Sequence, residues 1–228
     1  MNAGRTARDR ARAELTQEIK NEARRQLAVD GAQKLSLRSV ARELGMVSSA
    51  LYRYFPSRDD LLTALIIDAY NAVGDAAEKA AEEGSPRERW RGACHAVRDW
   101  ARANPHEYAL IYGSPIPGYV APRDTVVSAA RVPLVMIGIL RSTELTPAFD
   151  GPPLTDGLAE QLRTLGAEIA PELSLVTLNR AIVAWTQLFG MLSFELFGQL
   201  VGSVDPSDEF FDHTIGQICD FVGLPGTS

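Results

Sequence analysis

Between Leu35 and Leu62 the chain reads LSLRSVARELGMVSSALYRYFPSRDDLL, and this stretch leaves few folds open. Ser36 is placed to cap a short helix whose inner side carries Val40, Ala41 and Leu44. Gly45 supplies the backbone freedom to end that helix and turn sharply. The spacing predicts a second short helix from about Val47 to Phe55, with Leu51 and Phe55 on one face. Pro56 stops it, because the residue before a proline is pushed out of the helical region. Two short helices joined by a glycine turn form a helix-turn-helix, whose second helix can enter the DNA major groove. With Leu51 and Phe55 inward, Ser48, Ser49, Tyr52 and Arg53 face outward, with Tyr54 to one side. These are hydroxyl and guanidinium donors suited to phosphates and base edges, with no acid among them. The other reading of the same face is a solvated surface on a purely structural hairpin.

The run Ser36, Arg38, Val40, Ala41, Leu44, Gly45, Ala50, Leu51, Tyr52, Tyr54, Phe55, Arg58, Leu61 and Leu62 resembles the DNA-binding domain of TetR-type transcriptional regulators. The resemblance covers about the first third of the chain. Three positions depart from the family pattern. Val47 stands where the family usually caps its recognition helix with Ser or Thr, so that cap must come from elsewhere. Tyr54 stands where histidine is frequent, and Arg58 where lysine is. The last two changes keep a polar or cationic group. They alter which sequence is read more than whether DNA is bound. The resemblance implies that Tyr52, Arg53, Tyr54, Ser48 and Ser49 meet the major groove of a palindromic operator in double-stranded DNA, while Ser36, Arg38 and Arg58 hold phosphate.

Charge supports a nucleic-acid partner. The net charge is −6, but residues 1–58 hold 12 Lys and Arg against 6 Asp and Glu, leaving +6 there and −12 in the remainder. DNA affinity is set by the face presented to phosphate, not by the overall balance. Arg5, Arg8, Arg10 and Arg12 form a basic arm with one acid, Asp9, and no apolar anchor. The arm is expected to be disordered in the free protein, either lying along DNA or acting as a solubilising tail. Leu15, Ile19, Ala23 and Leu27 then repeat every four residues, predicting a helix from about Arg12 to Val29 that completes a three-helix core. Lys20 and Arg24 on its polar side are further phosphate candidates, with plain solvated charges as the default reading.

Beyond residue 58 the pattern is helical throughout. Ser57 caps a helix with Asp59 and Asp60 in its first turn and a stripe of Leu61, Leu65, Ala69, Ala72, Val73 and Ala76. The TetR resemblance implies that this helix links the DNA-binding domain to the rest, and that ligand-driven tilting of it changes the spacing of the two reading heads. Ser85-Pro86-Arg87-Glu88 is a capping box with proline at the first helical position. The helix it opens carries Trp90, Cys94, Val97 and Ala101 to about Ala103. A short helix follows Asn104-Pro105, and then a loop at 113–119. An apolar helix runs from Asp124 to about Arg141 and is kinked or split by Pro133. A loop at 147–153 precedes a helix from about Asp156 to Leu165. Residues 171–201 are apolar all round, and Asp205-Pro206 opens a last helix bearing Phe210, Phe211, Ile215, Ile218 and Phe221. Two such helices predict a homodimer through the last two helices, because a two-fold protein reads a palindrome. An internal helix pair in a monomer is the other reading.

Trp185, Gly190 and Leu192 resemble the C-terminal domain of a TetR subgroup in which Trp is followed by a His-Gly pair. Phe189 occupies the histidine position here, which implies a more apolar pocket wall. No catalytic constellation is found. His95, His106 and His213 are dispersed, and His95 is spaced to pair with Asp99 as a solvated helix pair. No metal spacing, phosphate loop or nucleophile elbow occurs, so no cofactor, metal or enzymatic activity is expected. Cys94 and Cys219 are expected to be reduced, mostly buried thiols. No charge-free run of about eighteen apolar residues occurs, and the first residues lack an apolar signal core, so a cytoplasmic protein with no membrane partner is expected.

The expected fold is all-α. An N-terminal helix-turn-helix domain spans residues 1–58, and a larger helical ligand-binding and dimerisation domain spans 59–228. A pocket is expected where Trp and Tyr gather near proline-rich loops, with Trp90, Trp100, Tyr108, Tyr112, Tyr119, Met136, Trp185, Gln187, Phe189 and Phe194 as candidate walls for a small hydrophobic or aromatic effector. The function expected is a ligand-responsive repressor that its effector releases from DNA. An all-helical binding or scaffold protein is the alternative. The concentration of positive charge at one end argues against it.

Overall fold

The computed structural model describes residues 7–226, and these form eleven α-helices and no strand. The first compact unit runs through Ala69 and adds Asn104–Thr125. The second comprises Tyr70–Ala103 and the residues from Val126 onward.

In the first unit, α1 (Ala7–Asp30) buries Ile19, Ala23, Gln26 and Leu27. It begins earlier than the apolar stripe does, so Arg8, Arg10 and Arg12 are helical and not part of a disordered arm. Arg5 lies outside the described residues. α2 (Leu37–Glu43) ends on Gly45 at φ 65°, where the Met46 N–H reaches the Ala41 carbonyl at 2.8 Å and the Gly45 N–H reaches that of Arg42 at 3.1 Å. This paired closure needs a left-handed residue, which glycine supplies without strain. Ser36 has the extended backbone of a cap, but its hydroxyl makes no capping bond.

α3 (Ser48–Leu51) is shorter than predicted. After Leu51 the chain tightens into i→i−3 bonds, Arg53 to Ala50 and Tyr54 to Leu51, and Pro56 forbids a further turn. α4 (Arg58–Ala80) is capped by Ser57, whose hydroxyl accepts from the Asp60 N–H at 3.1 Å and donates to the Asp60 carboxylate at 2.7 Å. Leu35, Leu37, Val40, Leu51, Phe55, Leu61 and Leu62 join the α1 stripe in one buried cluster. α6 (Pro105–Tyr112) and the loop after it belong to this unit. Ile116 and Tyr119 pack on its core, and the Tyr119 hydroxyl lies 2.9 Å from that of Thr63.

The second unit takes the rest of α4 and α5 (Pro86–Ala103), α7 (Thr125–Ala129), α8 (Arg131–Arg141), α9 (Asp156–Ile169), α10 (Leu175–Leu196) and α11 (Asp208–Val222). The capping box is formed: the Ser85 N–H and hydroxyl both donate to the Glu88 carboxylate, at 2.8 and 2.7 Å. The break between α7 and α8 falls at Ala130, because Pro133 has no N–H for the Ala129 carbonyl.

α10 packs against α5, α8, α9 and α11. Its length and mean hydropathy, 1.2 over the best window, are those of a membrane span. Its polar residues argue for a core helix instead. Arg180, 4% exposed, donates to the carbonyls of Phe221 and Phe149. Glu195 takes a two-pronged pair from buried Arg98 at 2.8 and 2.9 Å. Arg98 also reaches Asp208 at 2.8 Å and lies over the Phe211 ring, joining α5, α10 and α11. His95 pairs across to Asp212 at 3.2 Å and not with Asp99.

Candidate nucleic-acid interface and apolar cavity

The helix-turn-helix is held by contacts on its inner side, which leaves its outer side available. Leu51 and Phe55 are buried, while Ser49, Tyr52 and Arg53 are exposed and Ser48 and Tyr54 are half-buried. Arg38 projects from α2 into solvent. The guanidinium groups of Arg38 and Arg53 have no protein partner among the described residues. Glu43, the acid of α2, sits against Arg42 at 3.4 Å and Arg25 at 3.8 Å.

A residue from outside the motif completes this face. The Arg12 guanidinium lies 5.1 Å from the centre of the Tyr54 ring and donates to the Arg53 carbonyl at 3.3 Å. Arg8, Arg12, Arg53 and Tyr54, with Asp9 as the one acid, line a groove of about 370 Å³ between the start of α1 and the second element of the motif. The sequence shows Arg8 and Arg12 as basic, but only the early start of α1 shows where they lie.

Three of the expected phosphate ligands are engaged elsewhere. Arg58 donates to the backbone carbonyls of Leu35 at 3.0 Å and Ala32 at 2.8 Å, tying α4 to the turn before α2. Lys20 and Arg24 both pair with Asp68 of α4, at 2.7 and 2.6 Å, and Arg24 also meets Glu107 of α6. These cations hold helices together. Ser36 is half-buried and keeps its hydroxyl free of a capping role.

In the second unit an apolar cavity of about 320 Å³ opens between four helices. Val126 and Ala130 line it at α7, Pro133, Leu134, Met136 and Ile137 from α8, Leu165, Glu168 and Ile169 from α9, and Leu178, Ala181, Ile182 and Trp185 from α10. Leu178, Ala181, Ile182 and Trp185 follow the i, i+3, i+4, i+7 rule for one helical face. Of the ten candidate wall residues, the cavity gathers Met136 and Trp185. Trp90 is fully buried in α5, and Trp100 is half-buried on the same helix. Phe189 is buried with its ring against the edge of Trp185, and Gln187 and Phe194 are exposed on α10. Tyr108, Tyr112 and Tyr119 lie in the first unit, where Tyr108 and Tyr112 stack at 5.3 Å. The aromatic criterion missed the aliphatic walls because aliphatic residues carry no polar handle to mark them. The indole N–H groups of Trp90 and Trp185 are shut off from water with no acceptor.

The wall of the cavity is tied to α4. Arg131, which follows Ala130, donates to Glu78 at 2.8 and 2.6 Å, to Asp75, and to the Asn71 carbonyl at 3.0 Å. Gly74 lies under this side chain, where a Cβ would meet Arg131 Cβ and Nε at 2.9 Å. The buried thiols show no reactive character. Burial pushes Cys94 up strongly and Cys219 to about 11, so both stay protonated.

A family model described as bacterial regulatory proteins, tetR family, matches residues 19–65, and one described as tetracyclin repressor-like, C-terminal domain, matches residues 90–218. The HTH-type transcriptional regulator Rv1816 of Mycobacterium tuberculosis is 39% identical over 199 residues, which is 83% of each chain. This chain belongs to the TetR family of transcriptional regulators. As a TetR-type helix-turn-helix protein it binds DNA and acts on transcription, in a family of regulators and not of catalysts. The crystal structure of SCO4313, described there as a candidate regulatory protein, is similar over 93% of this chain and 98% of that one, at 36% identity and TM-score 0.80. The TetR family regulator PfmR from Thermus thermophilus shares the fold, with TM-score 0.56 at 19% identity over 91% of this chain and 99% of that one.

Proposed function

We propose that this TetR-family protein is a cytoplasmic, homodimeric repressor that binds a palindromic operator and is released by a small hydrophobic effector. The observation that carries the reading is the outer side of the second element, residues 48–54, which holds hydroxyl and guanidinium groups and no acid, together with Arg38. Ser49, Tyr52, Arg53 and Arg38 are exposed, with the two guanidinium groups unpaired among the described residues. Tyr52 and Arg53, with Ser48, Ser49 and Tyr54, contact the major groove, and Arg38, Ser36 and Arg12 contact phosphate. Arg58 acts by holding the motif together.

The dimer reading is supported by α10. Val176, Val183, Phe194 and Phe197 are exposed along one side of it, 44–56% each, with Gly190 among them. A glycine inside an exposed helix costs about 0.5–1 kcal/mol relative to alanine. Close approach of a second helix gives it a purpose. The effector occupies the apolar cavity, which lies at the small end of ligand-pocket sizes. Arg131 carries its effect to α4, because occupation of the cavity that displaces α8 pulls on Asn71, Asp75 and Glu78.

The test is binding of the purified protein to DNA upstream of its own coding region, measured across a salt series. Tight binding with a steep salt slope and a two-fold symmetric footprint is expected. Weak binding indifferent to sequence, there and across genomic fragments, would contradict the operator reading.

A further inference from the structure

We propose that the effector is a lipophilic cation: an apolar body bearing one protonated nitrogen, which pairs with Glu168 at the mouth of the cavity. This rests on the reading of the cavity as the effector site. The walls are largely carbon, built from Pro133, Leu134, Met136, Ile137 and Trp185 among others, and Glu168 is the one ionisable residue lining them. Its carboxylate has no hydrogen bond or ion pair among the described residues. The basic side chains of the four lining helices are all committed. Arg131 is held by Asp75 and Glu78, Arg141 by Glu172 and Arg163 by Glu160, while Arg180 is held by the backbone carbonyls of Phe149 and Phe221.

Charge selects among ligands for that reason. An anion entering the cavity meets a carboxylate with no cationic side chain in the lining to offset it, and loses its own hydration against a largely hydrocarbon wall. A neutral apolar molecule leaves Glu168 in water and gains only the burial of its carbon. A cation gains the same burial and an opposite charge at the mouth, with the Trp185 ring as a further partner for it. Size narrows the class again. An apolar cavity of about 150 Å³ accepts a benzene ring. The present cavity, about 320 Å³, therefore suits a body of one or two rings or their aliphatic equivalent.

The experiment is calorimetric titration of the full-length protein with three probes of one shape: para-tert-butylbenzylamine, para-tert-butylbenzyl alcohol and para-tert-butylbenzoate. The amine is expected to bind about tenfold more tightly than the benzoate, with the alcohol between them. The preference should shrink with added salt. It should vanish in Glu168→Gln, where the amine and the benzoate bind alike. Ala130→Phe, which fills the cavity, should abolish binding of all three, with helicity retained by circular dichroism. If the alcohol binds but the benzoate matches the amine, or if the preference survives Glu168→Gln, the cation proposal is overturned while the effector cavity stands. If none of the probes binds, or if Ala130→Phe leaves alcohol binding intact, the cavity reading falls and the cation proposal with it.

Discussion

Arg53 and Arg58 lie five residues apart, and the structure uses them differently. The Arg53 guanidinium is exposed with no protein partner, so Arg53→Ala should leave unfolding in urea within about 0.5 kcal/mol of the parent. The same change should weaken operator binding by about 1–3 kcal/mol if the contact is a bidentate one to a base. Arg58→Ala should show the reverse emphasis. It strips donors from the Leu35 and Ala32 carbonyls, at about 1–3 kcal/mol of folding stability. Urea denaturation and operator titration of both variants decide the matter. A stable Arg58→Ala protein with lost operator affinity would return Arg58 to the DNA surface. Residue types on the reading face were legible in the sequence because they are neighbours on a local pattern. The commitment of Arg58 was not, since its acceptors lie 23 and 26 residues earlier. The pairing of Lys20 and Arg24 is hidden from the sequence for the same reason: Asp68 reaches them only through the packing of α4 on α1.

At the scale of elements, the Arg131 clamp on α4 depends on an absence of side chain. Alanine normally stabilises a helix interior relative to glycine by about 1 kcal/mol. At Gly74 the added Cβ would lie 2.9 Å from Arg131, so the guanidinium must withdraw from Asp75, Glu78 and Asn71. Gly74→Ala is therefore expected to destabilise the protein or gain nothing, and Arg131→Ala to destabilise it. The double variant should be no worse than Arg131→Ala alone, because the shared interaction is already gone. Additive effects in a urea double-mutant cycle would remove the clamp. A second element carries a pH signature. Arg98 and Arg102 hold the Asp208 carboxyl below its ordinary value at the start of α11. A carboxylate depressed in the folded state stabilises it above the unfolded-state value and stops doing so as pH falls through the folded value. Asp208→Asn should therefore flatten the acid limb of an unfolding curve followed below about pH 4, and an unchanged limb would assign it to other carboxylates. Local devices at this scale were readable in advance, including the Ser85–Glu88 box and the Gly45 turn. The early start of α1 was not readable, because Arg8 to Arg12 offer no apolar stripe. Nor was the shortness of α3, where backbone bonding tightens after Leu51.

At the scale of the whole molecule, an all-helical chain with a basic first part and an apolar penultimate helix was legible from charge and hydropathy. The two compact units follow packing contacts and not the expected functional boundary. Asn104–Thr125 returns to the first unit through Glu107 on Arg24 and Tyr119 on Thr63, contacts too distant in sequence to read. Assembly is the remaining question at this scale, and α10 frames it. Its exposed Val183, Phe194 and Phe197 offer apolar area with Gly190 at the centre, and the neighbouring helix adds Phe210. Isolated exposed apolar residues are ordinary, but several on one side of one helix, here interrupted by exposed Gln187, suit a docking face. In a homodimer the same side faces itself, so one substitution acts twice. Phe194→Glu places two carboxylates in that interface and removes two aromatic side chains from it. Because Phe194 is 56% exposed in the single chain, the change should leave its helicity intact. Sedimentation is expected to show a dimer for the parent and a monomer for the variant. The monomer should lose most operator affinity, because two reading heads bound together gain from effective concentration that single heads lack. A variant that stays dimeric and binds its operator fully would move the two-fold contact off α10. A parent that sediments as a monomer while still giving a two-fold footprint would mean that the pair assembles only on DNA.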